Sequence, residues 1–169
     1  MNRYETKGWE PSMKKLCCLL LSLMTAVCFF SGCQGKKDIT IDVSALADDL
    51  KAAVSFEDEL AAPNDTAFLK VYKDIDEADI AAKKVYVSSG ATAEEIAVFE
   101  AKDEDAAGRI KVAVDQRIAD QRAAFEDYNP KEQDKLSDPV LVTAGKYVIL
   151  CVSDDNATAK KCIDGYTKG

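Results

Sequence analysis

The sequence predicts an α+β domain: an antiparallel four-stranded sheet built from two strand–strand–helix units, with N-terminal helices. Three observations predict it. Short β-branched and aromatic runs come in two pairs. A segment of helical period with an acidic start follows each pair, the second displaced by about 51 residues from the first. From Val43 onward, apolar residues recur at three and four ahead of both units.

Val43, Leu46, Leu50 and Val54 form one stripe, with Asp48, Asp49 and Lys51 between them, so the first helix begins at Val43. Pro63 breaks it, and "NDTAFLKVYKDID" then reads as a short helix capped by Asn64 or Asp65. "KKVYVSSG" and "EEIAVFEAK" are the first strand pair, with Ile96 and Val98 on one face and Ala97 and Phe99 on the other. "DEDAAGRIKVAVDQRIADQRAAFEDY" is the longest helix. Asp103 caps it, and Ala107, Ile110, Val114, Ile118, Gln121, Phe125 and Tyr128 step along its inner face. Asp105–Arg109, Lys111–Asp115 and Arg122–Glu126 are expected as i,i+4 pairs on its solvated side. Asn129-Pro130 ends it, and "KEQDKLSD" reads as a connection. "PVLVTAGKYVILCV" is a hairpin turning near Ala144-Gly145. The final helix follows, capped by Ser153 or Asp154, with Ala159, Cys162, Ile163 and Tyr166 inward. Such units most simply place their helices on one face of the sheet.

The first 42 residues read as processing and tethering sequence. Lys14 and Lys15 precede an apolar run, Leu16–Phe30, that ends in small residues, the layout of a secretory signal. Its 15 residues fall short of the roughly 20 that a membrane span needs. "FSGC" resembles a bacterial lipobox, with Phe30 in place of the usual leucine and Cys33 as the lipidated residue. Residues 1–12 then read as an over-extended start, 13–32 as a lipoprotein signal peptide, 33–42 as a lipidated tether and 43–169 as a single domain. Lipid on Cys33 would hold the protein at the outer face of the bacterial cytoplasmic membrane.

Composition excludes several chemistries. The whole chain carries −8, and residues 1–33 carry a net +2, so the remainder carries −10. A body this acidic repels phosphate backbones, which argues against nucleic acid. There is no histidine, so His-dependent nucleophile activation and His-ligated zinc are excluded. No cofactor fingerprint is present. "DEAD" at Asp76–Asp79 lacks the phosphate loop that would give it meaning, because Tyr147 follows Gly145-Lys146. Asp74, Asp76 and Asp79 could still gather around calcium outside the EF-hand pattern. Tyr128 and Pro130 read either as a binding corner or as a helix stop with a packed tyrosine. Cys151 and Cys162, on a strand and the helix after it, could oxidise in an exported protein. The plainer expectation is two small buried hydrophobes.

"VYKDIDEADI", "ATAEEIAVFEAKDEDAAGRIKVAVDQRIADQRAAFEDYNP" and "GKYVILCVSDD" follow one another in an order that resembles a bacterial lipoprotein family, domain-of-unknown-function family 4358. The likeness runs roughly from Ile39 to the C-terminus. Lys73 stands where the family's first motif has glycine after its tyrosine. The resemblance implies a small exported protein and supplies no catalytic residue. The expected function is that of a membrane-anchored, non-enzymatic envelope module binding an envelope protein or a small ligand. The alternative is a carboxylate-dependent extracytoplasmic hydrolase, which needs two carboxylates facing each other in a cleft.

Overall fold

Val148 to Val152 are all fully buried, and so are Ile96 to Phe99, which decides the architecture. A strand whose every residue is buried has something packed on both of its faces. The structure is a computed structural model that describes residues 39–168, within one compact unit, Asp38–Gly169. The expected start, signal, lipidated Cys33 and most of the tether lie outside the described residues.

Five helices and four strands follow in order: α1 Val43–Ala53, α2 Asp65–Val71, β1 Ile80–Val87, β2 Glu95–Ala101, α3 Glu104–Tyr128, α4 Glu132–Ser137, β3 Val140–Ala144, β4 Tyr147–Val152 and α5 Asn156–Thr167. The sheet is antiparallel throughout, in the order β1-β2-β4-β3. Ala97, Phe99, Val148 and Leu150 point to one face, where α2 and α3 bring Phe68, Tyr72, Ile110, Val114 and Ile118. Ile96, Val98, Ile149 and Cys151 point to the other, where α1 and α5 bring Leu46, Leu50, Ala159 and Ile163. Helices therefore cover both faces, not the single face expected. The run of buried residues in β4 requires it, since a one-sided sheet would alternate with polar residues. On the α3 side Tyr72 meets Phe99 edge-on at 5.3 Å, and Phe68 stacks on Tyr72 at 5.4 Å.

The two hairpins are related by a two-fold axis normal to the sheet. Val98 and Ile149, which the displacement of about 51 superimposes, are direct partners across β2 and β4 and face the same core. The helices that follow break this relation. One residue, Lys102, separates β2 from the cap Asp103; Ser153 and Asp154 separate β4 from its cap, Asp155. Side chains and connections alternate with period two, so the added residue sends α5 to the opposite face. The cap is thus Asp155, and neither Ser153 nor Asp154.

Local chemistry explains the other boundaries. Asp42, Asn64 and Asp103 accept amide bonds from the first turns of α1, α2 and α3. Gly145, at φ +57°, occupies the first central position of the β3–β4 turn, where a type II′ hairpin demands a positive φ. Lys111 and Asp115 pair at 2.7 Å as expected. Arg109 instead reaches Asp79 at 2.6 Å, and Arg122 binds the carbonyl of Leu136. Both guanidinium groups choose partners fixed by other elements over flexible neighbours on their own helix, which saves side-chain entropy.

Candidate functional site

The buried polar side chains gather where β2 begins and β4 ends. Glu95 opens β2, and Thr92 and Glu94 precede it. Ser153 closes β4, while Gln121, Glu132 and Lys135 arrive from α3 and α4. Lys135 lies at the centre. Its Nζ is 2.9 Å from Glu57, 3.3 Å from Glu94, 3.3 Å from Glu132 and 3.6 Å from Asp154. One ammonium group thus ties together the α1–α2 loop, the β1–β2 hairpin, α4 and the chain leaving β4.

The carboxylates around it are held from their other sides. Glu94 accepts from the backbone amides of Glu57 and Asp58, both at 2.9 Å, and from the Thr92 hydroxyl at 3.1 Å. Glu132 accepts from the Ala93 amide at 2.8 Å. Burial pulls the Lys135 ammonium down, but the hydrogen bond to Glu57 and the charges of Glu94 and Glu132 outweigh it, and its pKa rises. The Lys135 hydrogen bond in turn holds the Glu57 carboxyl below its ordinary value. Asp58 is lowered as well, by the hydroxyl and amide of Ser89.

Glu95, one residue on, points to the α3 side. Its carboxylate accepts the Tyr72 hydroxyl and the Arg117 Nε and Nη2 at 3.0 and 2.9 Å. Burial, reinforced by the Glu95 charge, pushes the Tyr72 hydroxyl well above its usual pKa. The adjacent acids Glu94 and Glu95 therefore brace the start of β2 from both faces. Both side chains are buried.

A family profile, "Domain of unknown function (DUF4358)", matches residues 52–153. The chain belongs to this family. The DUF4358 match takes in the whole sheet and the charged cluster up to Ser153. It leaves out nearly all of α1 and all of α5, although both helices pack on the sheet. No curated protein and no solved structure matches the chain.

Of the residues singled out from sequence, Tyr128 and Pro130 stand next to the charged end, where α3 hands over to α4. Tyr128 is 70% exposed, touching Phe125 at a ring distance of 5.9 Å. It does not pack inside as the helix-stop reading expected, because the helix outruns the core in its last turn. Pro130 is exposed too, and its carbonyl accepts the Gln133 amide of α4. Asp74, Asp76 and Asp79 do not converge. Asp79 is forked by Arg109, and Asp76 caps the 3₁₀ turn Glu77–Asp79. Among the described residues no group of three or more acidic or thiol side chains is arranged to hold a metal. Cys151 and Cys162 are free thiols on the α5 side, Cys151 buried and Cys162 half-buried. Burial pushes the Cys151 thiol up to about 12.

Sequence reasoning missed the cluster itself. "KEQDKLSD" has one large apolar residue and reads as a loop, yet it forms α4 and buries Glu132, Lys135 and Leu136. The available signal was the Glu132–Lys135 spacing, an i,i+3 pair on one helical face beside Leu136.

Two open grooves lie elsewhere. One, of about 630 Å³, runs between α1 and α5 past Asp49, Cys162 and Tyr166, with the Tyr166 hydroxyl on Asp49 at 2.5 Å. The other, of about 640 Å³, lies along α3 beside Lys73, Asp74 and Arg109. Each is lined by one carboxylate.

Proposed function

We propose that this DUF4358 protein is a lipid-anchored module of the bacterial envelope that presents its charged end to an envelope protein. It is held through Cys33 at the outer face of the cytoplasmic membrane, and it is a binding module and not an enzyme. The observation that carries the reading is the position of the charged end relative to the tether. The helix α5 starts beside Ser153, at the charged end, and runs 12 residues, about 18 Å at ~1.5 Å per residue. Near its far end Tyr166 binds Asp49 and feels the charge of Asp42, the residue that caps α1 and closes the tether. The tether thus enters at one end of the domain, and the braced cluster with Tyr128 occupies the other. Tyr128, Pro130 and Lys131 are exposed on that end.

The electrostatics favour binding over catalysis. Glu57, Asp58, Asp79 and Asp120 are all shifted downward by cationic, hydroxyl or amide partners. A general acid needs a shift in the opposite direction. The buried acids Glu94 and Glu95 are saturated with donors, and neither groove has the two carboxylates that glycoside hydrolysis uses.

The test is site-specific photo-crosslinking in the native envelope. A photoreactive residue at Tyr128 is expected to give a discrete protein adduct, and one at Thr143, away from the charged end, is expected not to give the same adduct. The same adduct in equal yield from both positions would overturn the reading. For the anchor, Cys33→Ala is expected to abolish the lipid mass and release the protein. Unchanged membrane retention would overturn that part.

A further inference from the structure

The two edges of the sheet are treated differently. β1 is protected: its ladder shifts register between Ile80 and Ala82, Ala61 bridges Val87, and Lys83 and Lys84 stand along it. These are the usual devices that stop an edge strand from pairing with another chain. β3 has none of them along its length. Residues 139–145, "PVLVTAG", carry no charge, and Leu141 and Val142 are only half-buried.

The ladder shows which groups are open. Ala101 donates to the carbonyl of Lys146, so β4 turns its even-numbered residues toward β2 and its odd-numbered ones toward β3. The partners of Tyr147, Ile149 and Cys151 are Ala144, Val142 and Val140, whose backbone groups are consumed. Leu141 and Thr143 therefore point their N–H and C=O groups outward.

We infer that β3 pairs antiparallel with β3 of a second copy of this chain, joining two sheets across a two-fold axis at Val142. In this register Leu141 meets Thr143 of the other copy, and each pair exchanges both of its backbone hydrogen bonds. Val142 faces its own counterpart in a non-hydrogen-bonded pair, where side chains come closest. Shifting the register by one pair either way puts Pro139, which has no N–H, or the turn residue Gly145 opposite an outward group. The same register is the one in which charges complement. Asp138, 80% exposed on its side chain and 4.0 Å from Lys160, lies just before β3 and Lys146 in the turn just after it, so antiparallel pairing brings opposite charges to both ends of the seam. Lys146 can keep its Glu100 contact at 2.5 Å, since an ammonium group has three donors. An isologous contact of this kind closes after two copies and leaves no further edge to propagate. It uses the open edge of β3, a different surface from Tyr128 and the buried cluster, so it goes beyond the function proposed above and does not depend on it.

The experiment uses the full chain as isolated from cells in detergent, oxidised with copper phenanthroline. Val142→Cys is expected to give a covalent dimer at twice the monomer mass, above the level of the wild-type chain. Thr143→Cys is expected to give no more than that level, because its counterpart is displaced along the strand. Adding Thr143→Pro to Val142→Cys removes an outward N–H and no bond of the β3–β4 ladder, so the domain keeps its circular dichroism while the dimer is lost. A Val142→Cys chain that stays monomeric would overturn the proposal. So would equal cross-linking at Thr143→Cys, or, in intact cells, an adduct to a different protein at Val142→Cys.

Discussion

The ammonium nitrogen of Lys135 lies 3.3 Å from Glu94 Oε1 with both side chains buried, so a single cation neutralises the start of β2 from a six-residue helix. Removing it would leave Glu94 and Glu132 buried and facing each other. Lys135→Met is therefore expected to cost about 3–5 kcal/mol, the usual penalty for breaking one side of a buried ion pair. Urea denaturation checks it, as a fall in midpoint with little change in slope. A loss below ~1 kcal/mol would mean that water already reaches the cluster.

Tyr72 and Tyr86 offer an internal comparison. Both hydroxyls bind a carboxylate, Glu95 for Tyr72 and Asp48 for Tyr86 at 2.5 Å. The first pair is buried and the second lies at the surface. Tyr72→Phe is expected to cost about 2 kcal/mol, the range for hydrogen bonds to charged groups, while Tyr86→Phe should cost less than ~1 kcal/mol. Equal losses in thermal or urea unfolding would show that the burial of Glu95 is not what matters.

Most of the fold was legible because its signals are local. Asp103, Asn64 and Gly145 announce their caps and turn through their own chemistry. Periodicity alone placed Ala107, Ile110, Val114 and Ile118 inward. What could not be read depends on counting across distance. The face taken by α5 rests on one additional connecting residue. Glu94 and Lys135 look like surface charges in the sequence, and become a core pair only when α4 folds against the β1–β2 hairpin. Among 30 acidic residues nothing marks the two that end up buried at the start of β2.

Cys151 gives a prediction at alkaline pH. In the unfolded chain its thiol ionises near 9; in the fold, burial raises this to about 12. A raised acid pKa stabilises the fold fully below the unfolded value, and that contribution is lost as pH climbs from about 9 toward 12. Tyr72, also raised by burial, acts in the same direction. Native protein at pH 8 is expected to leave Cys151 unalkylated by iodoacetamide until denaturant is added, since only an exposed thiolate reacts. Rapid labelling of Cys151 in the folded chain, found by peptide mass mapping, would contradict its burial.

Acid stability follows from the carboxylates with the opposite sign. Asp79 has an ordinary value of 3.8, and the forked hydrogen bonds from Arg109 lower it in the fold. Asp120 is lowered in the same way by Lys73 at 2.8 Å. A depressed folded value contributes stability above the unfolded pKa, and that contribution disappears as pH falls from about 4 through the folded value. The Asp79 pair also fastens the turn before β1 to the first turns of α3, so its loss should loosen that junction first. Asp79→Asn is expected to lower stability at pH 7 and to flatten the stability profile below about pH 4. Its curve should converge with that of the wild type at the acid end. Parallel curves, offset by the same amount at every pH, would show that Asp79 acts through packing and not through its charge.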